Sequence, residues 1–507
     1  MTVLYGQIKP TLSVRGCGDS AAMWQTDRIQ SIGRHALCVG AAVLALQAAA
    51  CADLPATSGP KPQVKPPEAY QDERSFAAPS ADWPTDRWWD AYGDAQLSGL
   101  IDEALKGSPT LAQAEARLVS ASASTMISRS ATLPSVHAEG QVSETETSLI
   151  EGFPPFIQEL LPQGYIDNGR LALDASYDLD LFGKNRAALK ASVSEEAATR
   201  ADLAEARLTL SAAVAQAYAD LARLGAERDA AAEAVRNRQE TSHLTAERVE
   251  NGLDTRAELK QAEAATPASE ADVEALDEQI LLTRHRIAAL LGEGPDRGLD
   301  VAMPKTEAVK AFGLPTDLRL HLIGRRPDIV AARLRAEAAS RRIDVAKAQF
   351  YPDITLNAYV GQQSLGLSQL FNPAAAIGSF GPAITLPIFE GGRLRGEYRG
   401  ARADYAAAVS AYDATLTQAL QDVADASASA QSAAKQLADR RAALTAGEQA
   451  YAVARERYQG GLSPYVSVLS AENAVIDERR AYADAQSRAF SLDIALIRAL
   501  GGGYVAA

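Results

Sequence analysis

Apolar and polar positions alternate in four short stretches of the chain. Leu171, Leu173, Ala175, Tyr177 and Leu179 fall on one side, with Asp174, Ser176, Asp178 and Asp180 on the other. This is the period of two of a strand with one apolar and one acidic face. Val136 to Val142, with His137, Glu139 and Gln141 opposite, and Ile354 to Val360, with Thr355 and Asn357 opposite, read the same way. A weaker alternation lies at Pro382-Ala383-Ile384-Thr385-Leu386, where Pro387 intrudes. Strands are expected near 135–143, 170–181, 353–363 and 381–389. Such strands suit either a half-buried soluble sheet or the wall of a membrane barrel.

After Leu181-Phe182-Gly183-Lys184 the period changes. The chain runs to about Glu250 without a proline and with Gly225 as its single interior glycine, and a second such run extends from about Arg393 to Tyr458. Roughly 65 residues of helix would be about 100 Å long, far beyond globular lengths, and would need lateral partners. Leu437, Leu444, Tyr451 and Tyr458 recur every seven residues, and Leu203, Leu210, Val214, Ala217 and Leu221 step by seven, four, three and four. These are coiled-coil steps. Alanine at most other seam positions lets backbones approach closely. Asn251-Gly252 and Gly460-Gly461 then supply left-handed caps. Thr255 with Glu258 forms a capping box, and Ser463-Pro464 places an N-cap before a first-turn proline. Each long helix thus turns back as a second helix, giving hairpins over 184–292 and 393–501.

The two halves are copies. Pro109 and Pro134 recur as Pro327 and Pro352, both shifted by 218 residues, while Gly252 and Gly292 recur as Gly461 and Gly501, both shifted by 209. Constant spacing means that each half is one structural unit, a short helical region, two strands and a long helical hairpin. The organisation expected is a leader over 1–50, a linker over 51–82, a first repeat over 83–300 and a second over 301–507. The linker carries Pro55, Pro60, Pro62, Pro66, Pro67 and Pro79 and should be extended. Four strands cannot close a barrel, and open edges are not tolerated in lipid. Strands that enter a membrane must therefore be shared among several chains.

Composition narrows the chemistry. With 64 acidic against 50 basic residues the net charge is −14, which disfavours nucleic acid as a partner. Cys17, Cys38 and Cys51 all precede residue 52, so the body holds no disulfide framework and no thiol or zinc chemistry. Arg28 and Arg34 precede the apolar run Ala36 to Ala50, which ends in Ala48-Ala49-Ala50-Cys51. This reads as a secretory signal with a lipoprotein cleavage site, its nearest leucine at Leu46, and makes Cys51 the expected lipid anchor. Enzymatic patterns do not survive inspection. Gly292-Glu293-Gly294 with Gly298 closes a helix instead of opening one after a strand. His35, His137, His243, His285 and His321 are scattered without metal-ligand spacing. Arg325, Arg326 and Asp328 precede a helix and start it. No enzyme, metal or cofactor is expected beyond the covalent lipid.

The ordered motifs Trp88-Trp89, Ser108-Pro109, Leu133-Pro134, Asp178-Leu179-Asp180-Leu181-Phe182-Gly183, Arg325-Arg326-Pro327-Asp328-Ile329, Phe350-Tyr351-Pro352, Leu386-Pro387-Ile388-Phe389-Glu390-Gly391-Gly392 and Ala499-Leu500-Gly501-Gly502-Gly503 resemble the TolC family of outer-membrane efflux proteins, in particular the NodT and OprM type of lipoprotein. The resemblance covers nearly all of the chain after the linker. It implies a mainly α protein with a membrane β-barrel portion: a homotrimer with four strands per protomer in a twelve-stranded barrel, above a long helical barrel in the periplasm. It also implies location in the outer membrane of a Gram-negative bacterium, a periplasmic adaptor and an inner-membrane resistance-nodulation-division pump as partners, and passage of drugs or other small molecules without chemistry. A channel for type I protein secretion is the alternative, while a stand-alone porin would leave the long helices unused and a periplasmic scaffold would not need lipid-facing strands. Within the resemblance, the turns at Gly252-Leu253 and Gly461-Leu462 are the expected adaptor-docking tips. Family members carry gate aspartates six and nine residues past the second tip glycine, or only nine past it; here those places are Ser467 and Ser470, with Glu258 and Gln261 as their first-half counterparts. The gate region of this chain is expected to rest on Val466 and Leu469 more than on charge.

Overall fold

The computed structural model describes residues 65, 74–76, 78–146, 148, 164–304, 313–315 and 318–506. The leader, Cys51 and most of the linker lie outside the described residues. The chain divides into two compact units. One is a sheet unit over 136–182 and 347–395, and the other is a helical unit over 57–135, 183–346 and 396–507.

The first half runs α1 (Ala95–Gly107), α2 (Pro109–Ser130), β1 (Ser135–Glu146), β2 (Tyr165–Asp178), α3 (Lys184–Glu250) and α4 (Arg256–Leu291), and a short α5 (Pro295–Leu299) follows. The second half repeats the order as α6 (Leu318–Arg325), α7 (Pro327–Ala348), β3 (Asp353–Leu365), β4 (Ala376–Thr385), α8 (Arg393–Gln459) and α9 (Tyr465–Ala499). The long helices α3 and α8 have 67 residues each, which is about 100 Å.

Burial makes such helices stable. Leu210, Val214, Ala217 and Leu221 of α3 pack with Leu97 and Ile101 of α1 and with Ile287 and Leu291 of α4 in the largest apolar cluster. Full burial of Ile101, Leu221, Ile287 and Leu291 contributes about 2 kcal/mol each. A second cluster sets Leu322 and Ile329 against Tyr412, Leu416, Ala419 and Val423 of α8.

All four long-hairpin ends use the same turn. The amides of Leu253, Glu293, Leu462 and Gly502 each reach back to a carbonyl five residues earlier, and those of Gly252, Gly292, Gly461 and Gly501 to one three residues earlier. Those four glycines have φ between 69° and 89°, as this left-handed C-terminal motif requires. At the hairpin bases the turns are packed against backbone. A Cβ on Gly292 would run into the carbonyl of Gly107, and one on Gly501 into that of Arg325. The base of each hairpin therefore sits on the junction before Pro109 or Pro327, the same contact built twice.

The strand order is β1-β2-β3-β4 in one sheet. β2 pairs antiparallel with β3 from Asn168↔Leu365 to Asp178↔Thr355, and β3 pairs antiparallel with β4 from Asp353↔Thr385 to Gln362↔Ala376. β1 and β3 begin where expected and run slightly longer, whereas β2 and β4 are shifted toward the N-terminus. The strand expected near 170–181 ends at Asp178, because the Asp178 carboxylate accepts the Asp180 N–H at 2.8 Å and Asp180 turns to a φ of 45°, an Asx turn that stops the ladder. The strand expected near 381–389 lies at Ala376–Thr385, so Leu386 to Phe389 fall beyond it. Pro382 lies in β4, the last strand in the order within one chain, the position at which a sheet tolerates a proline. At α9 the expected N-cap also shifts: Pro464 holds the cap position without a side-chain bond, and the Ser463 hydroxyl is buried with no hydrogen-bond partner among the described residues.

Candidate functional site

The register divides the sheet into two chemically different faces. Leu171, Leu173, Ala175 and Tyr177 of β2 stand opposite Gln362, Val360, Ala358 and Leu356 of β3, and these continue to Phe380, Pro382 and Ile384 of β4. Most of this apolar face is open: Phe380 is 77% and Val360 63% exposed. On the other face Asp174, Ser176 and Asp178 stand opposite Tyr359, Asn357 and Thr355. There the Arg170 guanidinium meets Asp174 at 3.2 Å and Glu139 of β1 at 3.9 Å, and lies 5.2 Å from the centre of the Tyr359 ring. A sheet that exposes leucine, valine and phenylalanine on one side and charge on the other places lipid and water on opposite faces. No described helix is long and apolar enough to cross a membrane.

At the far ends of the hairpins, Leu253 and Leu462 are exposed beside their glycines. A Cβ on Gly252 or Gly461 would meet nothing within 4 Å. Behind these turns is a network of which the sequence period marks only Tyr458, the last member of the seven-residue repeat. Arg248 of α3 grips Asp254 at 2.8 Å with both side chains nearly buried, and lies 4.7 Å from the Tyr458 ring centre. The Tyr458 hydroxyl, buried in α8, donates to Asp254 at 2.6 Å and bonds the Thr245 hydroxyl at 2.8 Å. The first turn is thus tied to the second long helix. Hydrogen bonding from Arg248 holds the Asp254 carboxyl below its ordinary value, while burial pushes the Tyr458 phenol up to about 12. A tyrosine in an alanine seam is the signal that marks this place, since a phenol buried there needs a partner.

The gate-region residues are spread around this cluster. Glu258 closes the capping box of α4, its carboxylate accepting the Thr255 N–H at 2.7 Å and the Thr255 hydroxyl at 2.9 Å. Gln261 and Ser470 are exposed, and Ser467 is half-buried. Leu469 packs against the buried Ala262, Tyr458, Tyr465 and Val468, whereas Val466 is 55% exposed. A two-faced sheet in one unit and long helical hairpins in the other are the parts of an outer-membrane channel protein.

The comparisons agree. The family model described as outer membrane efflux protein matches residues 100–293 and 320–502, and the chain belongs to that family. It is an outer-membrane efflux channel. It is 36% identical over 353 residues to the fusaric acid resistance protein FusA of Burkholderia cepacia, a match that covers 68% of this chain and 65% of that protein. It is 29% identical over 470 residues to the multidrug resistance outer membrane protein MdtP of Escherichia coli K12, covering 90% of this chain and 94% of the relative. Among solved structures, the outer membrane protein VceC of Vibrio cholerae superposes with a TM-score of 0.78 at 42% identity, covering 83% of this chain and 100% of the other.

Proposed function

We propose that three copies of this chain close one β-barrel in the outer membrane and form the exit duct of a tripartite efflux system, passing drugs or other small molecules outward without chemistry. The observation that carries this reading is the sheet with one open apolar face and two outer strands, β1 and β4, that have no second neighbour in the strand order. Each backbone group left unpaired in hydrocarbon costs several kcal/mol, so the outer strands need partners, and β4 of one copy can pair with β1 of the next. Two copies would make a barrel filled by its own side chains, whereas three give a lumen wide enough for water. The face bearing Glu139, Arg170 and Asp174 then lines the lumen. An inner-membrane pump of the resistance-nodulation-division class drives the flow, and a periplasmic adaptor docks on the Gly252-Leu253 and Gly461-Leu462 turns. Deletion of the gene should sensitise the host to pump substrates, and complementation by a chain with Phe380→Asp in the lipid-facing strand should fail. Full resistance with that variant would contradict the barrel.

Cys51 carries the lipid in this reading, and the anchor aids placement more than assembly because the barrel itself holds the protein in the membrane. Cys51→Ala should lose palmitate labelling and mature slowly. Full acyl labelling of that variant would end the assignment.

At the gate, Ser467 and Ser470 stand where carboxylates would make a strong cation field, and of these two places and their first-half counterparts, Glu258 and Gln261, Glu258 alone carries a charge. Channel conductance should therefore show weak block by divalent and trivalent cations, reduced by Glu258→Gln and strengthened by Ser470→Asp. Glutamine keeps the capping box, so Glu258→Gln tests charge and not folding. Tight block that ignores Glu258→Gln would place the gate elsewhere.

A further inference from the structure

Behind the tips, α3, α8 and α9 line a partly open cavity of about 370 Å³, with residues that include Asn237 of α3, Tyr451 and Arg455 of α8, and Glu472 and Val475 of α9. Glu472 is 4% exposed. Its Oε2 lies 3.6 Å from Nε of Arg238, beyond hydrogen-bond length. Its Oε1, the Arg238 Nε and the Tyr451 hydroxyl are buried without a hydrogen-bond partner among the described residues. Arg238 turns its other nitrogens away, to the Ala265 backbone carbonyl at 3.1 Å, the Ser269 hydroxyl at 2.5 Å and the Asn473 side-chain Oδ1 at 2.8 Å.

The other charged groups facing this space are matched. Arg479 of α9 bonds both Glu233 of α3 and Glu448 of α8, and Arg455 of α8 donates to Glu240 of α3 at 2.8 Å. Tyr465 of α9 also feels the Glu472 charge. Four carboxylates thus face three guanidinium groups, and Glu472 is the one without a hydrogen-bonded cation. An ionised carboxylate there has given up water for one long contact. Burial pushes its carboxyl above the ordinary value, against the opposing pull of Arg238 and Arg455. The corresponding residue of the first copy, Glu263, is exposed and paired with Lys260 at 2.5 Å, so the buried acid is particular to the second hairpin.

We propose that Glu472 is a proton-operated brace between the two hairpins: protonated, it stays in the cavity and holds α9 against α3 and α8; ionised, it favours a state in which α9 shifts and the carboxylate reaches water. A group whose proton is bound more tightly in the packed state stabilises that state at low pH, and the stabilisation is lost as pH rises through its packed-state value. Mild acid therefore tightens the junction. An ordinary Glu472–Arg238 ion pair would do the opposite, since protonation would break it.

The test is amide hydrogen exchange of residues 465–480 in the full-length protein in lipid nanodiscs, from about pH 7.5 to about pH 5.5 with correction for intrinsic rates. Asp254 stays ionised throughout this range, because Arg248 holds its carboxyl low. The exposed His243, 3.4 Å from Glu247, is removed from the comparison by working in a His243→Gln background. The expected result is protection that rises several-fold on acidification, with Glu472→Gln fixed at the acid level at every pH. Protection that falls on acidification, or that stays flat in the unsubstituted cavity, would overturn the proposal. So would a Glu472→Gln chain that is less protected than its parent at neutral pH. None of these outcomes bears on the channel assignment.

Discussion

Gly252→Asp and Gly461→Asp are each expected to abolish efflux, measured as drug resistance, while the protein still reaches the outer membrane in its assembled form. Both glycines lie at φ near 70° with nothing within 4 Å of an added Cβ. The substitution therefore meets no steric barrier. Its cost to folding is the left-handed backbone alone, about 1 kcal/mol, and aspartate is among the residues that adopt that conformation most readily. A carboxylate beside the exposed Leu253 or Leu462 instead places an unpaired charge where the proposed adaptor contact would be apolar, and its burial there would be costly. Normal resistance in both variants would contradict docking at these turns. Loss of the assembled protein would show that the glycines serve folding only.

Gly292→Ala and Gly501→Ala should behave oppositely, with the chain failing to accumulate. These glycines occupy the same turn as the tip glycines, yet their Cβ positions are filled by the backbone carbonyls of Gly107 and Arg325. A methyl group there forces the hairpin base off the Pro109 or Pro327 junction, at roughly 3 kcal/mol or more for overpacking and left-handed strain together. The measurement is the outer-membrane yield and the unfolding midpoint of whatever is recovered. Parental yield and midpoint would mean that the hairpin bases are looser than the contacts indicate.

The contrast between these two pairs marks what a sequence can carry. The glycine turns, the long helices and the strand faces were all legible, because each is written locally: a left-handed cap beside a leucine, a run of residues without proline, an alternation of period two. β4 was the exception. Gly378, Gly381 and Pro382 blur its alternation, and its true range is fixed by pairing with β3, a partner that its own residues do not name. The expected N-cap at Ser463 failed for a related reason, since Pro464 takes the cap position and leaves the hydroxyl unbonded. Interactions that join distant segments were not legible: Tyr458 stands in a seven-residue repeat, but nothing local names its partner. Arg238 with Glu472, and Asp254 with Tyr458, are separated by more than two hundred residues in the chain. Arg326 illustrates the same limit. It reads as part of a helix start, yet it is buried and bonded to Asp328, Asp422 and the Ala499 carbonyl, so it also fastens α7 to α8 and to the end of α9.

The claim that one chain supplies part of a shared barrel is tested most directly by electron cryomicroscopy of the protein purified from outer membranes into lipid nanodiscs. The expected image has three copies around one closed barrel, β4 of each hydrogen-bonded to β1 of the next, with Leu171, Leu173, Val360 and Phe380 against lipid and Asp174 and Asn357 facing the water-filled lumen. A single copy whose Leu171 and Phe380 face is covered by protein, or whose β1 and β4 remain unpaired, would contradict it.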